Sequence, residues 1–214
     1  MSSRVSPAPA ADVPSPIDFH DPAQARAWEG DTVRKRPSRP RFFERIAEAI
    51  RDGGRRLAIL ELGSGPGHLA EHVLGTCSVG RYVALDFSAA MHALARERLG
   101  PAAERVEFVL RDFRDPEWNT GLGLFDVVVS QQSAHEVRHK SRIPAFFRSA
   151  RAATRAEGMF LYCDSYVMPG GTLDPQLHVA QDDQPRLLQE EGFLAVTLLH
   201  DEGGMALYRA INPG

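Results

Sequence analysis

Leu57-Ala58-Ile59-Leu60-Glu61-Leu62-Gly63-Ser64-Gly65-Pro66-Gly67-His68-Leu69 decides the fold of this 214-residue chain. An apolar run reaches a carboxylate at Glu61, three glycines follow at alternate positions, and a helix-forming stretch begins. A buried strand that enters a Gly-rich turn and leaves as a helix is how α/β proteins build a nucleotide cradle. Gly63, Gly65 and Gly67 allow positive φ and close approach of a ligand to the backbone. The spacing G-x-G-x-G differs from the dinucleotide G-x-G-x-x-G. It also differs from the phosphate loop, and no Lys-Ser/Thr pair follows, so triphosphate binding is disfavoured. Glu61, just before the first glycine, suits a cationic ligand better than a pyrophosphate.

The neighbouring segments extend this reading. Arg81 to Asp86 reads as the next buried strand, with Asp86 nineteen residues past Gly67. A carboxylate at that distance, at a strand tip, is placed to accept two ribose hydroxyls. Ser88 then caps a helix from Ala89 to Leu99, which Gly100-Pro101 ends. Val106 to Leu110 alternates as a strand, with Asp112 just beyond it. Phe125-Asp126-Val127-Val128-Val129-Ser130 is a continuous apolar run, as expected of a central parallel strand covered on both faces. Residues 141–156 read as an amphipathic helix, 158–164 as a fifth strand and 182–191 as a helix stopped by Gly192. Residues 193–200 and 204–210 read as two strands joined by Asp201-Glu202-Gly203-Gly204, an antiparallel hairpin.

Over roughly residues 42–212 these segments resemble the class I S-adenosylmethionine-dependent methyltransferases, whose first motif has the form acidic-x-G-x-G-x-G. The resemblance implies an α/β, Rossmann-like seven-stranded sheet in the order 3-2-1-4-5-7-6. The last strand is antiparallel and helices cover both faces. It implies S-adenosyl-L-methionine as cofactor, held by Glu61, Gly63, Ser64, Gly65, Gly67, Asp86, Phe87, Met91, Asp112, Phe113 and Gln131. Phe87 and Met91 would flank the adenine, with Met91 reading equally well as a core contact. Asp112 would accept from the adenine amine and Phe113 would lie along the ring.

The segment after the fourth strand bears on the acceptor. Family members that methylate base amines carry Asn/Asp-Pro-Pro-aromatic here, whereas this chain has Ser130-Gln131-Gln132-Ser133. The Pro-Cys of cytosine-C5 enzymes is also missing from it. Nucleic acid is therefore an unlikely acceptor, and a small molecule is expected. His135 is the candidate general base, because imidazole titrates near neutral pH. Glu136 would orient it or contact the acceptor, and Gln131 or Gln132 would meet the sulfonium end or the acceptor. Tyr166, Met168 and His178, in the Pro/Gly-rich loop after the fifth strand, either line the acceptor site or belong to a plain connection. Intact cofactor motifs fit two alternatives as well: an enzyme acting on RNA or protein, and a non-catalytic cofactor-binding domain.

The amino end divides in two. Residues 1–16, rich in Ser, Pro and Ala, are expected to be a disordered tail. Residues 17–52 are expected to form a helical cap or lid, with helices at 23–28 and 42–51, ahead of the methyltransferase domain at 53–214. Phe19, His20, Trp28 and Arg36 could reach the acceptor from it. From Arg34 to Arg56 there are nine Lys/Arg against three Asp/Glu, although the chain carries a formal net charge of −3. One such cluster is narrower than a nucleic-acid face. Its readings are a contact to an anionic substrate or carboxylate, or a solvated helix. The length suits one α/β unit. There is no metal-ligand spacing, no disulfide framework from Cys77 and Cys163, and no apolar run long enough to span a bilayer. A cytoplasmic location is expected, and the oligomeric state is open.

Overall fold

The computed structural model describes residues 10–54, 56–168 and 170–214, with residues 32–35 described by backbone only. Two helices lead: α1 (Pro22–Lys35) and α2 (Arg39–Asp52). The α/β alternation follows as β1 (Leu57–Leu62), α3 (His68–Thr76), β2 (Val79–Asp86), α4 (Ala89–Leu99), β3 (Val106–Leu110), β4 (Phe125–Gln131), α5 (Ile143–Ala153), β5 (Thr154–Ser165) and α6 (Asp183–Glu190). It closes with β6 (Leu194–Glu202) and β7 (Met205–Ile211). The seven strands form one sheet in the order β3-β2-β1-β4-β5-β7-β6. β1 to β5 pair in parallel, and β7 runs antiparallel to β5 and β6. The expected topology is therefore the observed one.

Strand alternation divides the core between the two faces of the sheet. Leu60, Leu62, Val83, Leu85, Val128, Phe160 and Tyr162 pack towards α5 and α6. On that face Phe147 meets Tyr162 edge-on at 4.8 Å and Phe160 stacks on Phe193 at 5.5 Å. Such pairs are worth about 0.5–1.5 kcal/mol each beyond their burial. Ile59, Tyr82, Val127, Val129, Leu161 and Cys163 pack on the other face with Phe42 and Ile46 of α2 and Leu69 of α3. Both cysteines are free. No helix among the described residues is long and apolar enough to cross a membrane.

Three boundaries differ from the sequence reading. α1 continues to Lys35 instead of stopping near Trp28. α5 ends at Ala153, and the chain turns into β5 at Thr154, where the Asn212 amide donates to the Thr154 carbonyl at 2.7 Å. That C-terminal contact is invisible to helical periodicity. Residues 10–16, expected within the disordered tail, are extended and tied down; residues 1–9 lie outside the described residues. The Val13 N–H donates to the Arg138 carbonyl, and Arg138 Nε donates back to the Val13 carbonyl, each at 2.9 Å. Arg142 Nη2 donates to the Ala10 carbonyl at 2.8 Å.

Candidate active site

The site forms where the C-terminal ends of the parallel strands meet the N-terminal helices. Gly63, Gly65 and Gly67 all lie at positive φ, between 53° and 80°. Space requires glycine at two of them. A Cβ on Gly63 would sit 2.3 Å from the Ser133 Cβ, and one on Gly67 would sit 3.0 Å from the Ala95 Cβ. Gly65 has open space on that side, so a ligand can lie against its backbone. Its N–H donates to Asp86 Oδ2 at 2.8 Å, while the Ser88 N–H donates to Oδ1 at 2.9 Å. A carboxylate offers about four acceptor positions, so Asp86 retains capacity for further donors. Burial pushes Asp86 up to about 6, against the backbone hydrogen bonds that favour its charge.

A cavity of about 550 Å³, open to solvent, lies over this turn. Gly63, Gly65 and Asp86 form its floor, with Phe87, Met91 and Phe113 along the apolar side. Gln132, Ser133, His135 and Glu136 close the end nearest β4. The N-terminal segment supplies Phe19, Trp28 and Arg36 as the remaining wall. It is anchored there: Phe19 meets Trp28 edge-on at 5.4 Å, and Ser88 Oγ donates to the Phe19 carbonyl. Arg98 of α4 pairs with Glu29 of α1, and Arg26 pairs with Glu97 at 2.6 Å.

Several expected residues lie elsewhere. Glu61 shares the sheet face of Ile59, because side chains two apart on a strand point the same way. There it is buried and accepts from the Tyr82 hydroxyl at 2.7 Å. Burial pushes its carboxyl up to about 8, against the Tyr82 hydrogen bond that favours its charge. Gln131 follows Val127 and Val129 onto that same face, and Gln132 lines the cavity in its place. Gln132 adopts φ of 55°, a left-handed conformation that marks a shaped turn. Asp112 is held by Arg114, with Nε to Oδ2 at 2.8 Å, and lines a separate cavity beyond Phe113. Ser64 is buried in the turn with its hydroxyl unpartnered, and Gly67 serves the packing of α3 on α4.

His135 sits in a short 3-10 turn, Ala134–Val137, after β4. Its Nδ1 lies 2.9 Å from Asp164 Oδ1, and its backbone N–H donates to Oδ2 of the same carboxylate at 3.1 Å. Asp164, at the tip of β5 and 2% exposed, also accepts from the Ser165 N–H. Burial opposes charge on His135, but the Asp164 carboxylate, its hydrogen bond and Glu136 outweigh it and raise the imidazole above its usual range. Burial likewise opposes charge on Asp164, and His135 reverses the balance and holds the carboxyl below its usual range. This leaves Nε2 of His135 as the ring nitrogen free of Asp164. Sequence reading missed Asp164 as a partner; its only signal was an acid at the end of a buried strand. His178 packs on His135 at 4.9 Å between ring centroids, with its Nδ1 unpartnered. Ligand atoms of His135, Asp164 and His178 lie within 4.8 Å of one another. The Asp164 oxygens accept from His135 and the Ser165 N–H.

Arg36 and Gln132 also line a second, larger groove of about 1520 Å³. Tyr166 and Met168 from the loop after β5, and Gly203 to Met205 of the hairpin, form its other side. The two spaces therefore meet at Arg36 and Gln132.

A family model described as "Methyltransferase domain" matches residues 59–158, from β1 into β5. The chain is 26% identical to the protein in a solved DhpI–SAH complex, with a TM-score of 0.69, 90% of this chain and 93% of that one being covered. These matches liken the chain to the class I S-adenosylmethionine-dependent methyltransferases. Two further matches are to proteins longer than this chain. An O-methyltransferase family protein from Burkholderia thailandensis shares the fold at 16% identity and a TM-score of 0.71, covering 91% of this chain and 61% of its own. Polyketide methyltransferase ustM of Ustilaginoidea virens is 35% identical over 104 residues, which is 44% of this chain. The chain spans only 24% of that protein's length.

Proposed function

We propose that the protein transfers a methyl group from S-adenosyl-L-methionine to a small-molecule acceptor, with His135 as the general base. The observation that carries the proposal is the His135–Asp164 pair, with His135 lining the 550 Å³ cavity. The cavity fits the cofactor. Asp86 offers acceptor positions for two ribose hydroxyls, the open face of Gly65 admits the sugar, and Phe87, Met91 and Phe113 supply an apolar slot for the adenine. Bound there, the cofactor supplies an electrophilic methyl on a positively charged sulfur.

The chain's residues then position and deprotonate. His135 Nε2 would take the proton of the acceptor hydroxyl or amine as that atom received the methyl group the cofactor would supply. Asp164 fixes the tautomer by accepting from Nδ1 and stabilises the imidazolium that results. α1 and the Phe19–Trp28 pair serve as a lid that excludes water and orders the ligands, an alignment worth several kcal/mol of barrier. The small-molecule class is supported by the groove and by relatives whose names include a polyketide methyltransferase.

Calorimetric titration with S-adenosylmethionine, S-adenosylhomocysteine and NAD tests the cofactor. Saturable binding of the two adenosyl ligands and not of NAD is expected; failure of both adenosyl ligands to bind would overturn the reading. His135→Gln is expected to abolish transfer while leaving cofactor affinity unchanged.

A further inference from the structure

His178 is not used by the chemistry above. It is 8% exposed, and its Nδ1 is buried without a hydrogen-bond partner. Such a nitrogen is costly, because burial strips its water and nothing replaces it. The turn from Asp174 holds the residue in place. The His178 N–H donates to the Asp174 carbonyl at 3.3 Å, and the Gln176 N–H donates to Asp174 Oδ1 at 2.8 Å. The Lys140 N–H donates to the Gln176 carbonyl at 2.6 Å, which ties this turn to the segment after His135.

The imidazole is thereby set against an acid and a second imidazole. Its ring packs on that of His135, and it lies close enough to Asp164 to favour the charge of that carboxylate. His135 Nδ1 is 2.9 Å from Asp164 Oδ1, and one ligand atom from each of the three residues lies within 4.8 Å of the others. Bond lengths near 2 Å place neighbouring ligands of a tetrahedral ion about 3.3 Å apart and opposed ligands about 4 Å apart. The His135–Asp164 separation already meets the shorter distance, and His178 is within about an ångström of the longer one. Asp164 and Glu136 beside His135 favour positive charge there, and Arg36 opposes it. Two imidazoles and a carboxylate suit Zn²⁺, Fe²⁺ or Co²⁺, whereas Mg²⁺ and Ca²⁺ take oxygen ligands. The three residues come from separate segments, so no sequence spacing announces them.

We propose that His135, Asp164 and His178 bind one divalent transition-metal ion, with Nδ1 of each histidine and a carboxylate oxygen as ligands. The ion replaces the proton between His135 and Asp164 and gives the bare nitrogen of His178 a partner. Histidine ligates metals as neutral imidazole, so the remaining proton of His135 then sits on Nε2. One consequence rests on the methyl-transfer reading: the loaded protein lacks its general base, and ion and base exclude each other.

The full chain, stripped with a chelator, is titrated calorimetrically with Zn²⁺, Co²⁺ and Mg²⁺. One Zn²⁺ per chain is expected to bind, Co²⁺ to develop visible ligand-field absorption, and Mg²⁺ to give no binding heat. His178→Gln and Asp164→Asn should each weaken Zn²⁺ by about 100-fold or more, since even outer partners of a metal ligand are worth about 10- to 100-fold. His72→Gln removes a more exposed histidine 3.2 Å from Glu44 and should change nothing. In NMR, Zn²⁺ should move the assigned ring signals of His135 and His178 and leave those of His92 in place. No Zn²⁺ binding by the wild type, equal affinity in wild type and His178→Gln, or Mg²⁺ bound as tightly as Zn²⁺ overturns the proposal. Should the variants not fold, unmoved His178 signals in the wild type overturn it alone. The two readings fail separately, because metal binding is read without cofactor. A chain that binds Zn²⁺ here but neither adenosyl ligand keeps the metal site and loses the methyl-transfer reading.

Discussion

Replacing Asp164 by Asn tests the centre of the proposed mechanism without needing an acceptor. The change is nearly isosteric. The Asn oxygen can still accept from the Ser165 or His135 backbone N–H, so the loop stays in place while the negative charge opposite His135 Nδ1 disappears. Two contacts of that ring nitrogen to the carboxylate, at 2.9 and 3.2 Å, lose their charge assistance. Hydrogen bonds to charged groups contribute about 1.5–3 kcal/mol, which sets the expected loss of stability when His135 is protonated. The imidazole should then titrate lower, because burial and Arg36 still oppose its charge and only Glu136 remains to favour it.

The pH dependence follows from both partners. The raised value of His135 contributes stability that is fully present below the unfolded imidazole value and is lost as pH rises through the folded one. The lowered value of Asp164 contributes stability that is present above the unfolded carboxyl value and is lost as pH falls through the folded one. The gap between wild type and Asp164→Asn should therefore be widest from about pH 4 to 6.5 and narrower near pH 8.5. Urea unfolding at these pH values measures the gap. NMR titration of the histidine rings, assigned with His135→Gln, measures the imidazole directly. A gap that does not vary with pH, or a His135 titration that the variant leaves in place, would refute the charge pairing and with it the role given to Asp164.

Further outcomes follow from the cofactor cavity. Asp86→Ala should weaken S-adenosylhomocysteine by about 1–3 kcal/mol in calorimetry, the loss of two ribose hydrogen bonds; unchanged affinity would remove the ribose assignment. Because burial pushes Asp86 up to about 6, wild-type affinity should fall as pH drops through that value, as the protonated carboxyl gives up an acceptor site, and the Ala variant should lack this dependence. Gly63→Ala and Gly65→Ala should separate folding from binding. The Gly63 change drives a Cβ into Ser133 and should cost about 2–4 kcal/mol in thermal or urea unfolding. Gly65→Ala meets open space and should cost about 1–2 kcal/mol of strain while impairing cofactor binding more than stability; the reverse order would show that Gly65 does not face the ligand.

The sequence by itself determined the architecture. Glycine spacing at 63, 65 and 67, the carboxylate at Asp86, the apolar run of β4 and the closing hairpin are local signals. A parallel sheet with an antiparallel end is the arrangement that accommodates them all. It also located the cavity's glycines, Asp86, Phe87, Met91, Phe113, His135 and Glu136, because chain reversals at strand tips bring those positions together whatever their side chains do. The tertiary structure decided which way side chains turn and what they find there. One step along β4 separates Gln131, which faces the core, from Gln132, which lines the cavity. The same alternation on β1 carries Glu61 to Tyr82. Asp112 pairs with Arg114, and the pairing of His135 with Asp164 joins residues 29 apart in sequence. Periodicity records which residues can share a face, but partners drawn from distant segments are fixed only when the sheet brings those segments side by side.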